Sequence, residues 1–149
     1  MSSFKQLDDT TQATGQITQA DIATAAAEGV TRIICNRPDG EEPGQPMADE
    51  VRQWAEEAGL GFVHIPVTGQ TLSPDKGAEM AKALADADGP VLAYCKSGGR
   101  SAALWALASA MTGRHAPDRI LALAGAVGYD LSGLSGALVS LSEANAASS

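Results

Sequence analysis

Cysteine is scarce in this sequence. Cys35 and Cys95 are its only two in 149 residues, too few for a multi-bridge disulfide framework. Histidine is as scarce, and His64 and His115 stand too far from the cysteines for a zinc-binding pattern. No metal or other cofactor is therefore expected. Basic residues are outnumbered, with Lys+Arg 10 against Asp+Glu 18 and a net charge of −8. That balance repels phosphate backbones and offers no basic stripe, so nucleic acid is not an expected partner. No apolar run approaches the ~18 residues of a membrane span. The opening stretch, MSSFKQLDDTTQ, has no basic region followed by an apolar core; no secretory signal is read there, and the cytoplasm is the expected compartment.

What remains is an ordinary globular balance, 44% hydrophobic and 19% charged, in a length suited to one domain over residues 1–149. The polar end, SEANAASS over residues 142–149, reads as a frayed tail. Thr18 as N-cap, Asp21 in a capping-box position and Gly29 as terminator predict a helix between them. VTRIICN is a β-branched run of strand length. A loop follows over residues 37–46, where three prolines and two glycines oppose regular structure. Val51, Trp54, Ala55 and Ala58 recur at the helical period and stop at Gly59. GFVHIPV reads as a strand. Ser73 and Pro74 then open a helix whose inner face carries Gly77, Met80, Ala81 and Leu84. PVLAYC has the character of a central parallel strand and feeds a helix starting near Arg100. DRILALAGAVG and LSGLSGALVSLSEA predict two further helices. The alternation gives an α/β fold: one domain with a four- or five-stranded, mostly parallel sheet flanked by helices. Ligands of such sheets bind outside the carboxyl ends of the strands, and Cys35, Val67 and Cys95 all fall at such ends.

The order strand, Cys95, KSGG, Arg100, helix has a chemical meaning. Successive backbone N–H groups between a strand and a helix N-terminus form a nest for an anion, and the helix end adds partial positive charge. Gly98 and Gly99 let the backbone curl. Lys96, Ser97, Gly98, Gly99 and Ser101 are the expected anion-binding positions; Arg100 supplies fixed donors. A cysteine so placed loses its proton easily, making Cys95 the expected nucleophile.

CKSGGRS resembles the active-site loop CxxGxR of rhodanese-type sulfurtransferases, and also the CxxGxxR loop of cysteine-dependent phosphatases. Arg100 is the fifth residue after Cys95, which fits the first count and misses the second by one. Over residues 4–131 the segments GQITQADIATAAAEGVTRIICNRPDGEEPGQP, GLGFVHIPV and GPVLAYCKSGGRSAALWALA resemble the bacterial phosphatase-like domain family named for its attachment to beta-lactamase-hydrolase-like proteins. The resemblance implies a dual-specificity-phosphatase-like fold, and fused partners related to persulfide dioxygenases. Relative to the dual-specificity pattern, Thr68 and Gly69 stand where a general-acid aspartate is expected, and Tyr94 stands where a histidine precedes the cysteine.

With the short loop and no aspartate, the reading is a sulfurtransferase. Cys95 takes sulfur from thiosulfate or a persulfide and hands it to an acceptor thiol, with Arg100 orienting the donor. The alternatives are a phosphatase working through a Cys95 phosphocysteine on a phosphoester, with Asp39 as a displaced general acid, and a non-catalytic anion- or persulfide-binding module. Three residues are secondary candidates. Cys35 either resolves a persulfide or is a plain buried residue; Arg37 and Asp39 either line the anion site, pair with each other, or cap a turn. His64 reads as a hydrogen-bonded strand residue, Trp54 and Trp105 as core, and Glu41 and Glu42 as mostly solvated surface, though they share the candidate substrate loop. Gln16 has no derivable role.

Overall fold

A computed structural model describes residues 4–148 of the chain. Five strands form one sheet: β1 (Lys5–Gln6), β2 (Thr11–Thr14), β3 (Arg32–Cys35), β4 (Gly61–His64) and β5 (Val91–Tyr94), in the order β1-β2-β5-β3-β4. Only β1 runs antiparallel; β2, β5, β3 and β4 are parallel. Their register brings Thr14, Tyr94, Cys35 and His64 onto one rung at the carboxyl end. The loops that leave this rung therefore share one rim, and the sheet places Cys95 in the middle of it.

Each face of the sheet is covered. Helices α1 (Gln19–Ala27) and α2 (Ala48–Glu57) pack Ile22, Ala25, Val51 and Ala55 against Ile33, Cys35, Leu92 and Tyr94. On the other face α3 (Pro74–Ala85) and α4 (Gly99–Thr112) pack Met80, Ala83, Leu104 and Ala108 against Ile34, Val91 and Ala93. Beyond α4 lie α5 (Pro117–Ala126) and α6 (Ser135–Ser148), joined through a short 3-10 turn at Ser132–Leu134. Every residue of α4 from Ser101 to Ala110 is buried. Its small, apolar composition on all sides suits a helix enclosed on all sides.

The capping signals act as read. Thr18 Oγ1 accepts from the Asp21 N–H while Asp21 Oδ2 accepts from the Thr18 N–H, and Ser73 Oγ accepts from Lys76 N–H at the start of α3. Three readings need correction. The strand pair β1–β2 is an addition to the predicted elements; its turn is set by Asp8, whose Oδ1 accepts from the N–H groups of Thr10 and Thr11, rather than by a glycine. β4 stops at His64, short of the predicted GFVHIPV run. The end read as frayed is helical through Ser148, in keeping with the helix propensity of its alanines. No helix among the described residues is long and apolar enough to cross a membrane.

Candidate active site

Cys95 follows β5 directly and is fully buried. Its own N–H donates to Thr14 O at 3.3 Å, which ties the start of the loop to β2. The chain then turns through Gly98, at φ 94° and ψ −17°, and enters α4 at Gly99. This left-handed turn is one that residues with a side chain rarely adopt. It directs the Gly98 N–H to Cys95 Sγ at 3.1 Å. A second glycine, Gly15, lets the continuation of β2 lie against the outside of the loop: a Cβ there would stand 2.9 Å from Lys96 O.

Burial pushes the Cys95 thiol up, but the N–H groups of Ser101, Ser97, Arg100 and Gly98 outweigh it and bring the thiol below its ordinary value. These amides belong to the first turn of α4 and the residues before it. The Ser101 hydroxyl is buried without a hydrogen-bond partner, leaving it free to donate. Lys96 extends outward, its ammonium 3.9 Å from Glu42.

Arg100 is held rigidly. Nη1 donates to Glu41 Oε2 and to Val67 O, both at 2.8 Å, and Nη2 donates to Glu41 Oε1 at 2.9 Å. This two-pronged carboxylate grip fixes the guanidinium plane. Glu41 and the negative sulfur nearby both favour the charged guanidinium, and Arg100 in turn draws Glu41 below the usual carboxylate range. Beneath this pair lies Arg37, whose side chain is only 2% exposed. Its Nε donates to Glu41 Oε1 at 2.9 Å, Nη2 to Glu42 Oε1 at 2.7 Å and Nη1 to Gln16 Oε1 at 2.9 Å. Arg37 is a strut under the rim, with Gln16 as its anchor. The Pro/Gly-rich loop is thereby strapped to the cysteine loop through Glu41; Glu41 and Glu42 are both exposed, as read, while their carboxylates reach in to the two arginines.

Asp39 does not join Arg37. Its Oδ1 accepts from the Ala48 N–H at 2.7 Å, which makes it a cap for α2. Cys35 is buried, with Sγ 3.4 Å from Arg37 O, and burial pushes its thiol up. His64 Nε2 lies 3.0 Å from the same carbonyl. Among the described residues no group of three or more His, Cys, Asp or Glu is placed to hold a metal ion.

One residue of the site carries no sequence signal. Tyr129, after α5, reaches over the loop with its hydroxyl 3.4 Å from Ser97 O. It faces the space a side chain at position 98 would fill.

The family model for the phosphatase-like domain of beta-lactamase hydrolase-like proteins matches residues 3–112. Beta-lactamase hydrolase-like proteins of Agrobacterium fabrum and Xylella fastidiosa are each 38% identical over 117 residues, 78% of this chain and 27% of theirs. The chain spans about a quarter of the length of these curated relatives. The crystal structure of a candidate phosphatase from Neisseria meningitidis has 35% identity and a TM-score of 0.82, covering 95% of this chain and 99% of its own. P. aeruginosa TpbA in complex with pTyr shares the fold at a TM-score of 0.69 and 17% identity, covering 96% of this chain and 90% of its own.

These likenesses overturn the sulfurtransferase reading. That reading weighs one residue of loop length and the missing aspartate above the rest of the chain. The fold and the family are phosphatase-like, so the thiosulfate or persulfide donor and the acceptor thiol fall with it. Loop length is a poor discriminator because both loop types use the same strand, nest and helix; here the Gly98 N–H still donates to the sulfur at 3.1 Å across the shorter span. With the family segment running from the N-terminal strands through α4, the chain belongs to the phosphatase-like domain family of beta-lactamase hydrolase-like proteins.

Proposed function

We propose that the chain is a cysteine-dependent phosphomonoesterase. The observation that carries the proposal is the buried Cys95 sulfur at the first turn of α4, where it accepts from the Gly98 N–H at 3.1 Å. The Arg100 guanidinium is fixed by Glu41. The thiolate attacks phosphorus, an S–P bond forms, and the P–O bond to the leaving group breaks with both electrons going to that oxygen. The phosphocysteine is then attacked by water, which releases inorganic phosphate and returns the thiolate. The cradle amides and Arg100 stabilise charge on the phosphoryl oxygens during both steps.

The carboxylates around the rim bear on substrate class. Arg100 draws Glu41 down and Arg37 draws Glu42 down, so both remain ionised at neutral pH. Asp39 is engaged in capping α2. A site without a protonated carboxylic acid favours leaving groups that depart well as anions, so phosphate esters of phenols suit it better than those of alkyl alcohols. Two free thiols, neither in a disulfide, fit a reducing compartment, and we place the activity in the cytoplasm.

The test is hydrolysis of p-nitrophenyl phosphate, with acid quenching and mass analysis to trap phosphate on Cys95. Cys95→Ser is expected to abolish turnover and the trapped adduct. Turnover retained by Cys95→Ser overturns the proposal.

A further inference from the structure

We propose that Tyr129 is a positioning residue for the nucleophile, its hydroxyl holding the Ser97–Gly98 peptide in the orientation that aims the Gly98 N–H at Cys95 Sγ. This inference rests on Cys95 being the nucleophile of the proposed phosphatase, though its test needs no phosphoester.

The Ser97 carbonyl and the Gly98 N–H are opposite edges of one planar, trans peptide group. One edge donates to Cys95 Sγ at 3.1 Å; the other accepts from Tyr129 Oη at 3.4 Å. A single rigid plane thus links the phenol to the sulfur. The plane is vulnerable, because Gly98 sits at φ 94° and glycine resists rotation of its flanking peptide only weakly. Something outside the loop must keep the N–H turned inward. On one side stands β2, with the carbonyl carbon of Thr14 3.2 Å from where a Cβ at position 98 would lie; on the other stands Tyr129, whose hydroxyl and ring edge would collide with that Cβ. The missing side chain of Gly98 makes room for the phenol.

The hydroxyl is suited to a lasting donor role. Burial, then the charge of Cys95, push the Tyr129 phenol above its ordinary value, so it keeps its proton at neutral pH. A carbonyl that accepts a hydrogen bond makes the N–H of the same amide a better donor. The other titratable groups that bear on the Cys95 sulfur are the Arg100 guanidinium from α4, itself tied to Glu41, and the Cys35 thiol from β3. Of these groups Tyr129 alone acts through the backbone of the loop. It also lies beyond residue 112, where the family match ends.

The experiment is the pH dependence of iodoacetamide alkylation at Cys95, followed by peptide mass mapping so that Cys35 does not contribute. It is run on the wild-type chain and on Tyr129→Phe, which keeps the ring and its packing. The alkylation midpoint in Tyr129→Phe is expected to rise by about half to one pH unit, with kcat/KM for p-nitrophenyl phosphate about three- to tenfold lower, the effect of losing one hydrogen bond. Thermal midpoints measured alongside are expected to stay within about 3 °C, less than a large loss of stability would produce in a chain of this size. An unchanged alkylation midpoint in folded Tyr129→Phe overturns the inference. So does a midpoint that moves only in step with a large loss of thermal stability. A raised midpoint in a chain whose wild-type form turns over no phosphoester upholds the role of Tyr129 and overturns the phosphatase proposal instead.

Discussion

At the scale of single residues, the site is a chain of charges: Arg37 holds Glu41, Glu41 holds Arg100, and Arg100 stands beside the sulfur. Glu41 is the middle link, and its side chain is only partly exposed. Glu41→Gln keeps the shape but removes the charge and one of the two paired acceptors. We expect kcat/KM for p-nitrophenyl phosphate to fall about tenfold as Arg100 loses its fixed plane, with KM rising more than kcat falls. Unchanged kinetics in a folded Glu41→Gln protein would show that Arg100 is positioned by Val67 O and the loop alone. Cys95 and its cradle are legible in the sequence because nucleophile, glycines and arginine form one short consecutive run. The partners of Arg37 are not. Gln16 is 21 positions away and Glu41 and Glu42 sit in an irregular loop, where neither period nor spacing indicates which side chains turn inward. Tyr129, 32 positions from Ser97, is hidden for the same reason.

At the scale of elements, caps and apolar periods locate α1 to α4, since each helix begins or ends on a residue with a local backbone role. How closely the helices approach is not readable in that way. Gly77 looks like one more inner-face position of α3, yet it is where α3 meets the buried α4: a Cβ at 77 would stand 2.9 Å from both Leu107 Cβ and Met111 Cε. Met111 Cε is the end of a flexible chain and can move, but Leu107 Cβ is fixed to its backbone. Gly77→Leu therefore forces the helices apart, and we expect a loss of about 1–3 kcal/mol in urea unfolding. Because α4 carries the first-turn amides of the cradle, the same substitution is expected to raise KM for p-nitrophenyl phosphate. A Gly77→Leu protein as stable as wild type would mean that the helices can slide past one another without cost. β1 and β2 are illegible for a related reason: β1 has two residues and β2 is the mixed stretch TQAT rather than an apolar run, and their pairing depends on a side-chain turn at Asp8.

At the scale of the whole molecule, Asp8 joins parts of the chain that are remote in sequence. Its side chain is only 4% exposed. Oδ2 accepts from Trp105 Nε1 at 2.9 Å in α4 and from Arg114 Nε at 3.1 Å, and lies 3.0 Å from His115 Nε2. The N-terminal strand pair is thereby clamped to the central helix and to the turn before α5, at the edge of the core in which Trp105 is buried. Burial pushes the Asp8 carboxyl up, while the hydrogen bonds from Trp105 and Thr10, the contact with His115 and the charge of Arg114 pull it down further, to about 2. A carboxyl held lower in the folded chain than in the unfolded one stabilises the fold above its unfolded value, and that contribution disappears as pH falls toward the folded value. The stabilisation is about 2 kcal/mol at neutral pH. It should be intact down to about pH 5 and largely gone near about pH 2. Asp8→Asn removes the titration and weakens the charged contacts, so at neutral pH it is expected to cost about 2 kcal/mol or somewhat more. Urea unfolding of both proteins at roughly pH 7, 4 and 2.5 reads the difference directly. The gap between wild type and Asp8→Asn should narrow as pH falls, because the protonated carboxyl of Asp8 is as neutral as the amide that replaces it. A gap that stays constant across that range would mean that shape and packing at position 8, rather than its charge, hold the strand pair to α4.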